Sequence, residues 1–76
     1  MSIYPNPTAG EVQVMGAAGE VSEVLVLDMK GRQVAKFEHT DRFDISGLPS
    51  GAYIVRLRTR SGEDANDLTY LKLVKE

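Results

Sequence analysis

Residues 52–60, AYIVRLRTR, decide the fold because apolar and charged side chains alternate along them. The odd positions would share one face of an extended chain: Tyr53, Val55, Leu57 and Thr59. The even positions would share the opposite face: Ile54, Arg56, Arg58 and Arg60. A period of two residues is that of a β-strand with one buried and one exposed face. The segment therefore predicts a half-buried strand whose polar face carries three arginines.

The same period recurs on both sides of this segment, and no window shows a sustained helical stripe. The apolar run 24–27 suits a strand that is covered on both faces. Tyr53 and Phe43 are expected in the core. The predicted strands are 2–4, 11–15, 21–27, 32–38, 42–45, 52–60 and 68–75. Such short strands, separated by turn signals at intervals of about 8–12 residues, indicate an all-β sandwich or barrel.

Three connections have turn chemistry. Asp28-Met-Lys-Gly31 predicts a type I turn, in which the aspartate accepts local backbone hydrogen bonds and Gly31 takes a positive φ. The segment 46–51, SGLPSG, predicts a rigid corner, because proline donates no ladder hydrogen bond and glycine permits a tight bend. Residues 61–67 are polar and acidic, and they predict an exposed loop.

Length and composition exclude several classes of protein. The 76 residues suffice for one small domain, and its packed core has to stabilise it because there is no cysteine for a disulfide. A net charge of −2 argues against general nucleic-acid binding. The longest aliphatic run, 24–27, is too short to insert into a membrane.

The sequence predicts neither catalysis nor a cofactor. Neither serine of the 46–51 corner has the Gly-x-Ser-x-Gly frame of a nucleophile elbow, and the single His39 is expected to be a solvated residue at a hairpin tip. The segment 63–67, EDAND, offers oxygen ligands of the kind calcium prefers. However, the EF-hand frame that starts at Asp64 lacks both its glycine and its final glutamate, so we expect a solvated acidic loop instead.

The arginines of the 52–60 strand leave two interpretations open. In one, Arg56, Arg58 and Arg60 form a docking stripe for a phosphate, an anionic glycolipid or an acidic protein surface. In the other, they form an ordinary polar face with cross-strand acidic partners such as Glu11 or Glu23. A carbohydrate platform is not indicated, because the chain has no tryptophan and only five other aromatic side chains (three Tyr and two Phe).

The opening segment 3–10, IYPNPTAG, resembles the first motif of the C-terminal sorting domains of the type IX secretion system. In that family Tyr-Pro-Asn-Pro-Thr-x-Gly precedes an alternating valine strand. An Asp-x-x-Gly-Arg element follows and is matched by 28–32, and an Ile-x-x-Leu-x-x-Gly-x-Tyr element is matched by 45–53. The short lysine-bearing strand that closes the family pattern is matched by 71–75, whereas the terminal Glu76 departs from the basic residue that family members often carry there.

The resemblance implies an immunoglobulin-like antiparallel β-sandwich of about seven strands. Residues 1–76 would be the single C-terminal sorting domain of a longer secreted protein, preceded by a cleavable linker and lacking catalysis of its own, even where the parent is an enzyme such as a secreted protease. Its partners would be the type IX translocon and a sortase-like signal peptidase. The motif residues that it carries over are Tyr4, Pro5, Asn6, Pro7, Thr8, Gly10, Asp28, Gly31, Arg32, Leu48, Gly51 and Tyr53.

The resemblance also implies a location for the protein. The cargo would pass through the periplasm of a Gram-negative bacterium and then be released or attached to the cell surface through an anionic lipopolysaccharide. We expect the translocon to recognise the C-terminal strand, at Leu71, Lys72, Leu73, Val74 and Lys75. Leu71 and Leu73 should be buried, and the strand should lie at a sheet edge whose free N–H and C=O groups a partner can extend.

Two further expectations concern alternatives. The alternative function is an immunoglobulin-like spacer or adhesion module of a secreted protein, which would need no exposed C-terminal strand. The stiff segment 5–7, which joins the strand 2–4 to the body of the domain, predicts a weak homodimer formed by strand exchange at high concentration.

Overall fold

The computed structural model describes residues 1–17, 19–60 and 66–76, and these residues form seven β-strands. The strands are β1 (Ser2–Tyr4), β2 (Glu11–Met15), β3 (Glu20–Leu27), β4 (Gln33–Glu38), β5 (Arg42–Asp44), β6 (Gly51–Arg60) and β7 (Asn66–Lys75). The predicted all-β class is confirmed. The described residues include no helix with the length and apolar character needed to cross a bilayer.

The strands form two antiparallel sheets that pack as a sandwich. The smaller sheet has the order β1-β2-β5, and the larger sheet has the order β4-β3-β6-β7. In an immunoglobulin constant domain the first, second, fourth and fifth strands share one sheet. Here the fourth strand pairs instead with the third, across a register that runs from Glu23 opposite Glu38 to Leu27 opposite Gln33. The sandwich is therefore immunoglobulin-like, with β4 in the sheet of β3.

The core lies between the sheets and follows the alternation of the strands. Its members are Ile3, Val12, Val14, Val21, Val24, Val26, Phe43, Ile45, Tyr53, Val55, Leu57 and Leu73. The burial of Tyr53 and Phe43 confirms their predicted places. Leu25 is buried on the opposite, outer face of β3, where it lies in register between Lys36 and Arg56, so this strand is covered on both faces as its apolar run predicts.

The last strand is longer than predicted. It begins at Asn66 rather than Leu68, because the ladder with β6 continues until Asn66 lies opposite Arg60. The predicted exposed loop is therefore wrong for Asn66 and Asp67. Residues 61–65, which include most of the acidic segment considered for calcium, lie outside the described residues.

His39 does not form a hairpin tip, contrary to the prediction. Its φ is +53°, and its backbone N–H donates to the carbonyl of Ser22 at 3.0 Å. Two residues further on, the Asp41 carbonyl accepts from the Val14 N–H at 2.7 Å in the other sheet. The chain therefore crosses between sheets at His39, and its exposed imidazole lies 3.6 Å from the Glu20 carboxylate.

The first strand pairs with the second within the same molecule. Ser2 lies opposite Met15 and Tyr4 opposite Gln13. Exchange of β1 between two copies stays a prediction.

Candidate functional site

The strand registers bring the predicted motif segments to one end of the sandwich. Leu27, the last residue of β3, lies opposite Ile54 near the start of β6, and Ile54 lies opposite Lys72 near the end of β7. The hairpin turn after Leu27 and the corner before β6 therefore share the end at which β7 finishes. The opening segment reaches the same end, because Thr8 bridges to Lys75. We call this end, formed by residues 4–10, 28–32, 46–53 and 72–76, the motif pole.

The 28–32 turn is held together by Asp28. One oxygen of its carboxylate accepts from the backbone N–H groups of Lys30 and Arg32, both at 2.9 Å, and the other accepts from the Arg32 side chain at 2.8 Å. The hydrogen bond from the Arg32 backbone is the main reason that the pKa of Asp28 lies below its usual value. Gly31 has a φ of +85°, as the turn prediction requires. The aspartate, glycine and arginine of the motif thus build one turn.

The 46–53 corner is held by Tyr53. Its ring is buried at the start of β6, and its hydroxyl donates to the Pro49 carbonyl four residues upstream. This arrangement is the tyrosine corner found in immunoglobulin-like sandwiches. Leu48 packs against the core and its N–H donates to the Ile45 carbonyl at 2.9 Å, while Gly51 has a φ of +149°. The leucine, glycine and tyrosine of the motif therefore fix the entry into β6.

Thr8 and Gly10 anchor the opening segment. The hydroxyl of the buried Thr8 donates to the Glu11 carbonyl at 2.6 Å and accepts from the Gly10 N–H at 3.0 Å. The Gly10 carbonyl accepts from the Ile45 N–H at 2.8 Å. A Cβ at Gly10 would lie 2.8 Å from that of Ser46, so this close approach of two backbones requires glycine.

Asn6 and Thr8 clamp the opening segment onto the free edge of β7. The Asn6 side chain donates to the Lys72 carbonyl at 2.8 Å and accepts from the Val74 N–H at 3.0 Å. The Thr8 backbone continues the ladder by donating to the Val74 carbonyl at 2.9 Å and accepting from the Glu76 N–H at 2.8 Å. We call these four hydrogen bonds the edge clamp. The amide of Asn6 thus takes the place of a strand residue.

The edge clamp corrects one expectation about the C-terminal strand. β7 does lie at a sheet edge, but its outward backbone groups between the Lys72 carbonyl and Glu76 already have partners. The edge clamp could not be predicted from the sequence, because the partners of its Asn6 hydrogen bonds are 66 and 68 residues apart. The Pro-Asn-Pro sequence was the signal available, and it indicated a stiff segment without indicating its partner.

The side chains of the C-terminal strand divide between two faces. Leu73 is fully buried and Leu71 half-buried, so the predicted inward face is confirmed. Lys72 is exposed on the other face. Lys75 is half-buried and lies close enough to Asp44 for its charge to contribute to the lowered pKa of that carboxyl, after the larger effect of hydrogen bonds from Ser46.

The arginine stripe lies on the outer face of the larger sheet. Arg56 donates to Glu23 at 3.1 Å, which confirms one of the predicted acidic partners, and this hydrogen bond is the main cause that lowers the pKa of Glu23. Glu11 is not a partner, because it lies on β2 in the other sheet. In the part of the chain that the structure describes, Arg58 and Arg60 form no side-chain ion pair.

Comparison with protein families decides the identity of this arrangement. The family model for the secretion system C-terminal sorting domain matches residues 2–70 of the sequence, which include the first three motifs. The chain belongs to this type IX secretion sorting-domain family. No curated protein gives a significant match to the sequence. A sorting domain of this family is a signal rather than a catalyst, interacts with the type IX secretion machinery, and marks a protein for export toward the cell surface or the extracellular space.

Across residues 1–17, 19–60 and 66–76, no three acidic or histidine side chains cluster closely enough to hold a metal ion. The motif residues contact backbone groups of the domain itself, so the family pattern specifies the shape of the motif pole.

Proposed function

We propose that this sorting domain directs a periplasmic cargo protein, of which it is the C-terminal domain, through the type IX outer-membrane translocon. The cargo is then released or is attached to the cell surface after a sortase-like signal peptidase cuts ahead of the domain. The observation that supports this proposal is the motif pole, where three separate motif segments and the end of the C-terminal strand meet.

Recognition is proposed on the C-terminal strand at the motif pole, at Leu71, Lys72, Leu73, Val74 and Lys75. Because the edge clamp covers the outward backbone groups from the Lys72 carbonyl to the Glu76 N–H, the translocon would recognise side chains in that part of the strand. Lys72 is exposed on the outer face, and the half-buried Lys75 lies on the opposite face of the strand end, near Asp44. These two ammonium groups would attract an acidic surface on the translocon.

Charge reversal tests this placement of the signal. A periplasmic reporter fused ahead of the domain should stay in the periplasm when the domain carries Lys72→Glu and Lys75→Glu. Reversal of the exposed Lys72 should change the thermal midpoint little, because exposed charges contribute less than about 1 kcal/mol. Reversal of the half-buried Lys75 replaces an attraction to Asp44 with a repulsion and should lower the midpoint, so Lys72→Glu alone is measured beside the double variant. The matched control is Lys30→Glu with Arg42→Glu, which makes the same change in net charge. Lys30 lies at a position of the Asp-x-x-Gly-Arg element that the family pattern leaves open, and Arg42 lies on the smaller sheet. Wild-type export of the first variant, or equal loss in both, would show that these lysines are not the feature recognised.

The position of the domain separates a sorting signal from a spacer. With the domain at the C-terminal end of the reporter we expect export. With the same domain placed between two reporter domains we expect none, since the end of β7 is then followed by a folded protein. Equal behaviour of the two fusions would favour the spacer or adhesion module.

A further inference from the structure

The N-terminal half of the β7 edge is open. The edge clamp binds backbone groups of Lys72, Val74 and Glu76, so the even-numbered residues of β7 direct their N–H and C=O groups away from β6. By the same alternation, both groups of Leu68 and Tyr70 and the N–H of Lys72 face outward. No strand other than β6 pairs with β7 among the residues described, and these five groups have no partner there.

The middle of this open edge is apolar, between the exposed Asn66 and Asp67 on one side and the exposed Lys72 on the other. Leu68 is 48% and Tyr70 57% exposed, and both lie on the outer face of the sheet beside the outward backbone groups. Proteins usually blunt such an edge with charges, a proline or a bulge. The register between β6 and β7 has no irregularity, and the described strand contains no proline. The edge clamp protects one half of the strand and leaves the other half able to accept a further strand.

Charges on the outer face indicate the kind of strand that fits. The acidic residues lie toward β3 and β4: Glu20, Glu23 and Glu38. Lys36 of β4 is engaged with two of these, 3.8 Å from Glu23 and 3.2 Å from Glu38. The basic residues lie toward the open edge: Arg56, Arg58 and Arg60 on β6 and Lys72 on β7. A strand added to β7 would therefore have Lys72 on the adjacent strand and the arginines one strand further in, about 10 Å from its own axis.

We propose that an extended acidic peptide segment of a partner protein adds to β7 at residues 66–72. Its backbone pairs with the open groups of Leu68, Tyr70 and Lys72, and its outward carboxylates pair with Arg58 and Lys72. This inference rests on the proposed function, for which it names the chemistry of the partner. It also assigns the arginine stripe as part of an acidic-strand site rather than a phosphate or lipid site.

The probe is a capped peptide of about eight residues with alternating glutamate and valine, and the control peptide has lysine in place of glutamate. The glutamate peptide should bind the wild-type domain more weakly as salt is added, because the charges are exposed. It should also slow amide hydrogen exchange at Leu68, Tyr70 and Lys72. The lysine peptide should not bind. Equal binding of both peptides, or binding without slower exchange at these amides, would overturn the proposal.

Three variants sharpen the test. Arg58→Glu should weaken binding of the glutamate peptide at least about tenfold. Arg42→Glu, the same change on the smaller sheet, should leave binding within about twofold. Tyr70→Pro should abolish binding while the domain stays folded, because proline there removes only an outward N–H. If Tyr70→Pro does not fold, the exchange data on the wild-type domain decide the question.

Other occupants of the edge give different results. A dimer in sedimentation experiments that Tyr70→Pro dissociates would assign the edge to a second copy of the chain and overturn the proposal. Binding to vesicles of anionic phospholipid, without binding of the glutamate peptide, would assign the stripe to lipid and overturn it too. If the reporter fusion is exported but the peptide does not bind, this inference alone fails. If the peptide binds and the fusion is not exported, the proposed function fails.

Discussion

Replacing Asn6 with alanine removes the two side-chain hydrogen bonds of the edge clamp. Asn6 donates to the Lys72 carbonyl at 2.8 Å and accepts from the Val74 N–H at 3.0 Å. A typical intramolecular hydrogen bond contributes about 0.5–1.5 kcal/mol net, and both of these lie where water can replace the lost partner, so we expect a loss of about 1–2 kcal/mol. For a domain of this size that corresponds to a fall in Tm of about 5–15 °C.

Thermal unfolding measures the total loss, and amide hydrogen exchange locates it. The Val74 amide should exchange faster in Asn6→Ala, whereas the amide of Leu57 in the centre of β6 should change only as much as global stability does. Gln33→Ala is the matched control, because it truncates another exposed amide side chain on a strand and should stay within about 0.5 kcal/mol. An unchanged Tm together with unchanged exchange at Val74 would refute the role of Asn6 as a substitute strand residue.

Three further predictions concern the motif residues. Gly31→Val should destabilise the domain by about 1–3 kcal/mol in urea unfolding, because a β-branched residue avoids a φ of +85°, and a midpoint equal to wild type would contradict the turn. Gly10→Ala should cost about 1–3 kcal/mol through overlap of its Cβ with the Cβ of Ser46, whereas Gly47→Ala, whose Cβ would point into open space, should be nearly neutral. Equal effects at the two glycines would refute the close approach. Because the folded-state pKa of Asp28 is lowered, its contribution is complete above its ordinary value of 3.8 and is lost as the pH falls through that lower pKa. The fall in stability between about pH 6 and about pH 2 should be smaller in Asp28→Asn, and an identical fall would contradict the stabilisation of the ionised Asp28 by hydrogen bonds from Arg32 and Lys30.

Local features of the sequence were enough to predict most of the fold. The alternation along 52–60 gave the position of β6 and the inward direction of Tyr53, because side-chain direction in a strand depends only on residue parity. The 28–31 turn was predictable for the same kind of reason, since all of its hydrogen bonds join residues at most four apart.

Features that depend on distant contacts were not predictable in this way. Whether β4 joins the sheet of β3 or the other sheet depends on packing across the sandwich, and so does the crossing at His39. The edge clamp joins the first and last segments of the chain, and the sequence of Asn6 and Thr8 shows only that they can accept and donate hydrogen bonds. Their contact with β7 depends on the three-dimensional arrangement of the strands, which brings the two ends of the chain together.

The most direct test of the central claim is the surface-exposed fraction of a periplasmic reporter fused ahead of residues 1–76. It should be measured in a type IX-competent strain and in an otherwise identical strain that lacks the translocon. We predict that most of the reporter reaches the surface or the medium in the first strain and that it stays in the periplasm in the second. A reporter that stays in the periplasm of both strains, or leaves both equally, would contradict the assignment of this domain as a type IX sorting signal.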